Sequence, residues 1–168
     1  MNRIQTKSVI STCTENGDIW SCVERFSESE DNGWIEIMAP PVYSDTDNTF
    51  IQILPSDQDA AADTNLTYPH IALVDTDKDS TTFVTSGQFV VREILSWDEE
   101  QQEIWFMGTG ISSPSSSHMY TVNTGSKNMT CITCNMVTTR GEKCLRNSVD
   151  MNSDFTYYVH SCSGPVKL

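Results

Sequence analysis

The stretch Ile71-Ala-Leu-Val-Asp-Thr-Asp-Lys-Asp-Ser-Thr-Thr-Phe-Val-Thr-Ser86 decides the reading of this chain, because it recurs. It aligns without gaps on Met119-Tyr-Thr-Val-Asn-Thr-Gly-Ser-Lys-Asn-Met-Thr-Cys-Ile-Thr-Cys134, an offset of 48 residues. Val74/Val122, Thr76/Thr124, Thr82/Thr130 and Thr85/Thr133 coincide, while Ile71/Met119 and Val84/Ile132 keep apolar character. Each copy reads as a strand, a polar turn and a second strand, since β-branched and aromatic runs flank a cluster of turn residues. A second shared element precedes each copy. Val42-Tyr-Ser-Asp-Thr-Asp-Asn-Thr-Phe resembles Ser96-Trp-Asp-Glu-Glu-Gln-Gln-Glu-Ile and, more loosely, the stretch from Ser148. The turn aspartates Asp45, Asp98 and Asp150 lie 53 and 52 residues apart.

A period of about fifty residues holding four strands is the mark of propeller blades, twisted sheets that stack around a channel because none buries both faces alone. Working outward, short strand-like runs fill the chain: Ser8–Cys13, Ile19–Arg25, Trp34–Met38, Thr49–Leu54, His70–Val74, Thr81–Thr85, Phe89–Trp97, Glu103–Met107, His118–Val122, Thr130–Thr133 and Phe155–His160. None keeps helical spacing over three turns. Pro55–Thr67 and Ser112–Ser117 read as surface loops. The expected fold is therefore all-β, a partial β-propeller of roughly two full four-stranded blades plus a partial one at each end. A propeller closes with about four to eight blades, so these 168 residues are expected to be a fragment of one propeller domain.

Composition narrows the partners. Hydrophobic residues are 38% of the chain, enough for a packed core, and the formal net charge is −13. With no basic cluster to neutralise phosphates, no nucleic-acid partner is expected. Six cysteines and two glycosylation acceptors, Asn65-Leu-Thr and Asn128-Met-Thr, point to an oxidising, secretory setting. The N-terminal stretch lacks the apolar centre of a signal peptide, so Met1 is expected to be internal, with a targeting segment upstream.

The cysteines read as structural. A zinc site wants two close pairs or spaced histidines, and only Cys131-Ile-Thr-Cys134 is a close pair. A redox motif would sit at a helix N-terminus, not at a strand end. Locality favours Cys13 with Cys22, Cys131 with Cys134, and Cys144 with Cys162, among fifteen pairings that six cysteines allow. Asp75, Asp77 and Asp79 imitate the start of a calcium loop, but Ser80 and Ser86 stand where Gly and Glu are needed. Neither the acidic run Asp98-Glu99-Glu100 nor His70, His118 and His160 carries a recognisable catalytic arrangement, and no metal or cofactor is expected.

These residues together resemble the later propeller blades of the dipeptidyl peptidase IV family of serine exopeptidases. The resemblance runs from Asn2-Arg3-Ile4-Gln5 through Trp20-Ser21-Cys22, Gly33-Trp34, Pro41-Val42-Tyr43-Ser44 and Val84-Thr85-Ser86-Gly87. It closes with Tyr120, Cys131-Ile132-Thr133-Cys134, Cys144, Phe155-Thr156-Tyr157-Tyr158 and Cys162-Ser163-Gly164-Pro165. It implies the same local cystine pairs and an eight-bladed propeller capping an α/β-hydrolase domain, which is absent from residues 1–168. It further implies a secreted or membrane-anchored parent that removes N-terminal dipeptides from a peptide substrate and forms a homodimer. The partners of this segment are then the remaining blades and the hydrolase domain, and its role is gating and docking without catalytic residues of its own. Leu95-Ser-Trp-Asp-Glu-Glu with Ile104-Trp-Phe is similar as well to the family's non-catalytic branch, auxiliary subunits of potassium channels.

Overall fold

A computed structural model describes residues 3–31, 33–35, 39–45, 48–56, 67–152 and 156–163. The chain opens with a hairpin of β1 (Lys7–Asn16) and β2 (Ile19–Ser29). A four-stranded antiparallel sheet follows, β3 (Val42–Tyr43), β4 (Thr49–Ser56), β5 (Tyr68–Asp75) and β6 (Ser80–Phe83), its strands adjacent in chain order. A second such sheet holds β7 (Val91–Asp98), β8 (Glu103–Thr109), β9 (Ser117–Asn123) and β10 (Met129–Cys131). The last hairpin is β11 (Asn147–Met151) with β12 (Tyr158–Cys162). Among the described residues there is no helix. Two full four-stranded meanders flanked by two-stranded pieces are the expected partial propeller.

The turns explain the repeat. Asp75 pairs with Ser80, Asp98 with Glu103, and the Asn123 amide donates to the Asn128 carbonyl, leaving four residues in each loop. Each loop ends on a residue in the left-handed region, Asp79 (φ 49°), Gln102 (φ 57°) and Lys127 (φ 59°). At the start of each loop a short polar side chain caps the turn. Asp75 Oδ1 accepts from the amides of Asp77 and Lys78, Asp98 Oδ1 from Gln101, and Asn123 Oδ1 from Gly125 and Ser126. Asp75 and Asp98 are thus turn caps, whereas Asp150, expected in a turn, lies within β11 opposite Val159, and Asn152 caps that hairpin by accepting from the Tyr157 amide. The first hairpin uses the tighter two-residue loop, with Gly17 at φ 66°, where a side chain would be strained.

Inner strands are buried on both faces, unusual for an antiparallel sheet with a solvated side. On β4 and β5, Phe50, Leu54, Ala72 and Val74 face the first hairpin, where Ile10 and Phe26 cover them. Phe26 meets Phe50 edge to face, 6.3 Å between centroids. The opposite faces, Ile51, Ile53 and Ile71, join Val91, Ile104, Phe106, Tyr120 and Val122 of the second sheet in one core. Phe89, between the sheets, stacks near Phe106 and Tyr120. The second sheet in turn lies against β11.

Some expectations shift at their ends. The ladder of β6 stops at Phe83 instead of Thr85, because the Thr85 side chain, not its main chain, takes the Ile71 amide at 2.9 Å. Pro55 and Ser56 belong to β4, not to a loop; Pro55 faces Pro69, and neither has an amide hydrogen to give. The rest of that loop from 57 to 66, with Asn65, lies outside the described residues, as do 36–38 of the run Trp34–Met38. Trp34 and Ile35 are not in a strand.

Thr133 repeats the role of Thr85: its Oγ1 accepts from the Met119 amide at 2.9 Å and is fully buried. Thr133→Val strands that amide and is expected to lower stability by about 1–3 kcal/mol, read by chemical denaturation. Thr82→Val, at an exposed β6 position, should stay within about 0.5 kcal/mol.

Candidate functional site

Three groups of side chains hold the sheets and their connections in place, and they include most residues singled out in the sequence. The first is covalent. Cys13 bonds Cys22 across the register of β1 and β2, with Cα atoms 4.0 Å apart. Cys131 bonds Cys134 at the end of β10, and Cys144 bonds Cys162, tying the connection after the second sheet to β12. The His118 imidazole lies within 4.8 Å of the Cys131 and Cys134 sulfurs. Those sulfurs are bonded to each other, so the trio offers no thiolate to a metal.

The second group is a carboxylate clasp. Glu99, in the β7–β8 turn, accepts from the Ser44 hydroxyl at 2.6 Å and the Asp45 amide at 2.8 Å, in the turn after β3. It bridges the two full sheets across 55 residues of sequence. The run Asp98-Glu99-Glu100 therefore holds one turn cap and one intersheet clasp. Charge-assisted acceptance by one carboxylate from two donors fixes the approach of the sheets more firmly than apolar contact alone, which has no direction.

The third group is histidine-centred. His70 Nδ1 lies 3.0 Å from Thr85 Oγ1 and its Nε2 2.9 Å from the Gly87 carbonyl. His118 Nδ1 lies 3.3 Å from Thr133 Oγ1 and 3.1 Å from Asn147 Nδ2, and His160 Nε2 is 2.6 Å from Asn147 Oδ1. Burial holds the His118 imidazole below its ordinary value, outweighing the upward pull of the Thr133 main chain. Burial likewise pushes the Tyr120 phenol up, against a smaller pull from the Ile111 main chain. The partners these imidazoles find among the described residues are hydroxyls, a carbonyl and an amide, not carboxylates, so the arrangement is one of positioning. His70 and His118 sit at the same 48-residue offset as the repeat, one position before the aligned stretch. Extending that alignment by one residue would have paired them.

Two of the three aspartates that imitate a calcium loop are engaged otherwise. Hydrogen bonding to Lys78 holds the Asp75 carboxyl below the usual carboxylate range, and Asp77 accepts from Asn48 Nδ2. Asn128 is exposed at the β9–β10 turn; Asn65 lies outside the described residues.

The family model for the dipeptidyl peptidase IV N-terminal region matches residues 1–167. The chain belongs to the dipeptidyl peptidase IV family. Venom dipeptidyl peptidase 4 of Vespula vulgaris is 30% identical over 169 residues, and that of Apis mellifera 27% over 168, each match covering 98% of this chain. Inactive dipeptidyl peptidase 10 of Mus musculus is 28% identical over 170 residues. The chain spans about a fifth of the length of these relatives (20% of each). A crystal structure assigned as a dipeptidyl aminopeptidase IV from Bacteroides ovatus superposes with a TM-score of 0.62 over 95% of this chain and 22% of that one. At 18% identity it speaks for the fold alone.

Glu99→Ala is expected to cost about 1 kcal/mol by denaturation, the clasp being partly solvated. A double-mutant cycle with Ser44→Ala should give a coupling of about 0.5–1 kcal/mol, and additivity would deny the clasp.

Proposed function

We propose that this chain is a stretch of β-propeller in a dipeptidyl peptidase IV-like serine exopeptidase, where it walls the approach to a separate α/β-hydrolase domain. The observation that carries this reading is the family match over 1–167, from which the activity of the whole protein is inferred. The bare sheets at both ends support it. Ile19, Trp20 and Val23 of the first hairpin are more than half exposed, as are Tyr157 and Val159 beside and within β12. A two-stranded hairpin is marginal in water, and such apolar exposure suits strands that further blades complete. In this reading the segment contributes shape and rigidity, and the hydrolase domain contributes the nucleophile. Three cystines suit an oxidising extracellular setting for the parent.

The full-length secreted protein should release chromophore from an Xaa-Pro dipeptidyl anilide and lose that activity when its hydrolase serine becomes alanine. A folded, monodisperse protein without turnover overturns the peptidase reading. It would favour the second one, a non-catalytic channel auxiliary, to which the 28% identity with inactive dipeptidyl peptidase 10 lends equal weight. Co-expression with a voltage-gated potassium channel and a shift in its gating would then be the readout.

Exposure of Asn128 and Thr130 at an outer-strand turn supports N-glycosylation there. Asn128→Gln should remove one glycosidase-sensitive mass increment from the secreted protein, and an unchanged mass would exclude a glycan at this turn.

A further inference from the structure

The joint between the second full sheet and the β11–β12 hairpin closes on one amide held between two imidazoles. Asn147 is buried, 6% exposed, and its Nδ2 donates to the Ser117 carbonyl at 2.7 Å and reaches the Cys144 carbonyl at 3.3 Å. Carbonyls only accept, so the amide nitrogen must face them and Oδ1 must face the other way. Oδ1 there meets His160 Nε2 at 2.6 Å, which therefore carries a hydrogen. Of its two hydrogens one goes to Ser117, and the other is shared between the Cys144 carbonyl and His118 Nδ1, 3.1 Å away. Thr133 Oγ1, 3.3 Å from the same nitrogen, already accepts the Met119 amide, so its own hydrogen is free to point at the imidazole. Two donors thus converge on His118 Nδ1, and only an unprotonated nitrogen accepts them.

We propose that the chain His118–Asn147–His160 is an acid-released latch between the second sheet and the β11–β12 hairpin. A proton on His118 Nδ1 sets donor against donor at an amide that two carbonyls prevent from turning over, and the joint loosens. His160 keeps its bond to Asn147 Oδ1 in either protonation state, since its Nε2 donates in both.

The surroundings leave the switch to His118. From its own strand Tyr120 stands edge-on, with centroids 6.4 Å apart, and its phenol is pushed up and neutral. From the following loop the facing sulfurs are those of the Cys131–Cys134 disulfide, which do not titrate. From β12 comes His160, through the amide. Glu142, Lys143 and Arg146 on the connection, and Asp150 on β11, are exposed. With His118 held below the ordinary 6.5, the closed joint excludes a proton that the open joint takes. The latch therefore contributes fully above 6.5 and weakens as pH falls toward the lowered native value.

The first sheet supplies an internal control. His70 Nδ1 lies against a hydroxyl, Thr85 Oγ1, which can accept as well as donate, and its Nε2 donates to the Gly87 carbonyl. A proton there meets an acceptor, and among the described residues no side-chain amide is pinned against it as Asn147 is against His118.

Hydrogen exchange on the full-length secreted protein, corrected for the intrinsic pH dependence of amide exchange, tests the latch. Between about pH 7.5 and about pH 5, protection across β11–β12 should fall about tenfold, with a ceiling of roughly thirtyfold set by an open-state imidazole near 6.5. Protection across β4–β5 should not follow it. His118→Asn, which keeps an acceptor near the Nδ1 position without titrating, should flatten the response. Equal loss in both sheets, or undiminished loss in His118→Asn, overturns the proposal. Should that variant fail to fold, exchange at the histidine C2 positions of the unaltered protein decides: an ordinary midpoint for His118 in the intact joint overturns the latch, and a depressed one sustains it.

Discussion

Every sheet here depends on having a neighbour on each side. In β4 and β5 the residues alternate between two apolar faces, Phe50, Leu54, Ala72 and Val74 toward the first hairpin and Ile51, Ile53 and Ile71 toward the second sheet. Burying apolar area is worth about 25 cal/mol per Å², and an exposed face would forfeit it. A blade is thus a layer, not a folding unit, and the stability of one sheet is a property of its two joints. This also accounts for the even spacing of the repeat. A layer that must match identical neighbours tolerates little change in strand length or turn type, so the capped turns at Asp75, Asp98 and Asn123 recur.

The joints are not chemically equal. Between the two full sheets lies a continuous apolar core, with aromatic contacts of Phe89, Phe106 and Tyr120 at its centre and the Glu99 clasp at one turn. Beyond the second sheet the contact is more polar. Ser96 Oγ points at Met151 Sδ, and His118 meets the Asn147 amide where its counterpart His70, at the earlier joint, meets the ring of Phe89. Apolar packing is insensitive to proton concentration, whereas hydrogen-bonded imidazole is not. At the later joint the imidazole also faces a pinned amide, which makes its response to a proton the more disruptive.

The repeat was legible because propeller layers are built alike: the 48-residue offset reappears atom by atom in the Thr85/Thr133 bonds to the Ile71 and Met119 amides. The cystines were legible because they are local. Less legible was anything that depends on side chains meeting across layers. Glu99 sits in an acidic run that looks like a solvated turn, and nothing local ties it to Ser44, 55 residues away. His118, Asn147 and His160 likewise come together only once β11 lies beside β9. Strand ends are hidden in the sequence where side chains replace main-chain bonds, as at Thr85, or where facing prolines prolong a strand into an apparent loop, as at Pro55.

The placement of the disulfides completes this division. Cys13–Cys22 lies within one hairpin and Cys131–Cys134 within one strand end, and neither spans two sheets. Cys144–Cys162 restrains the connection leading out of the second sheet together with the hairpin that follows it. Among the described residues no cystine crosses the joint between the full sheets, so their adhesion is wholly noncovalent. A crosslink within a layer limits the unfolded chain and leaves the layer free to adjust against its neighbour. Rigid layers with adjustable joints let a ring of blades hold its shape while individual contacts respond to their surroundings. Among the described residues, the joint best equipped to respond is the one where a buried imidazole meets a pinned amide.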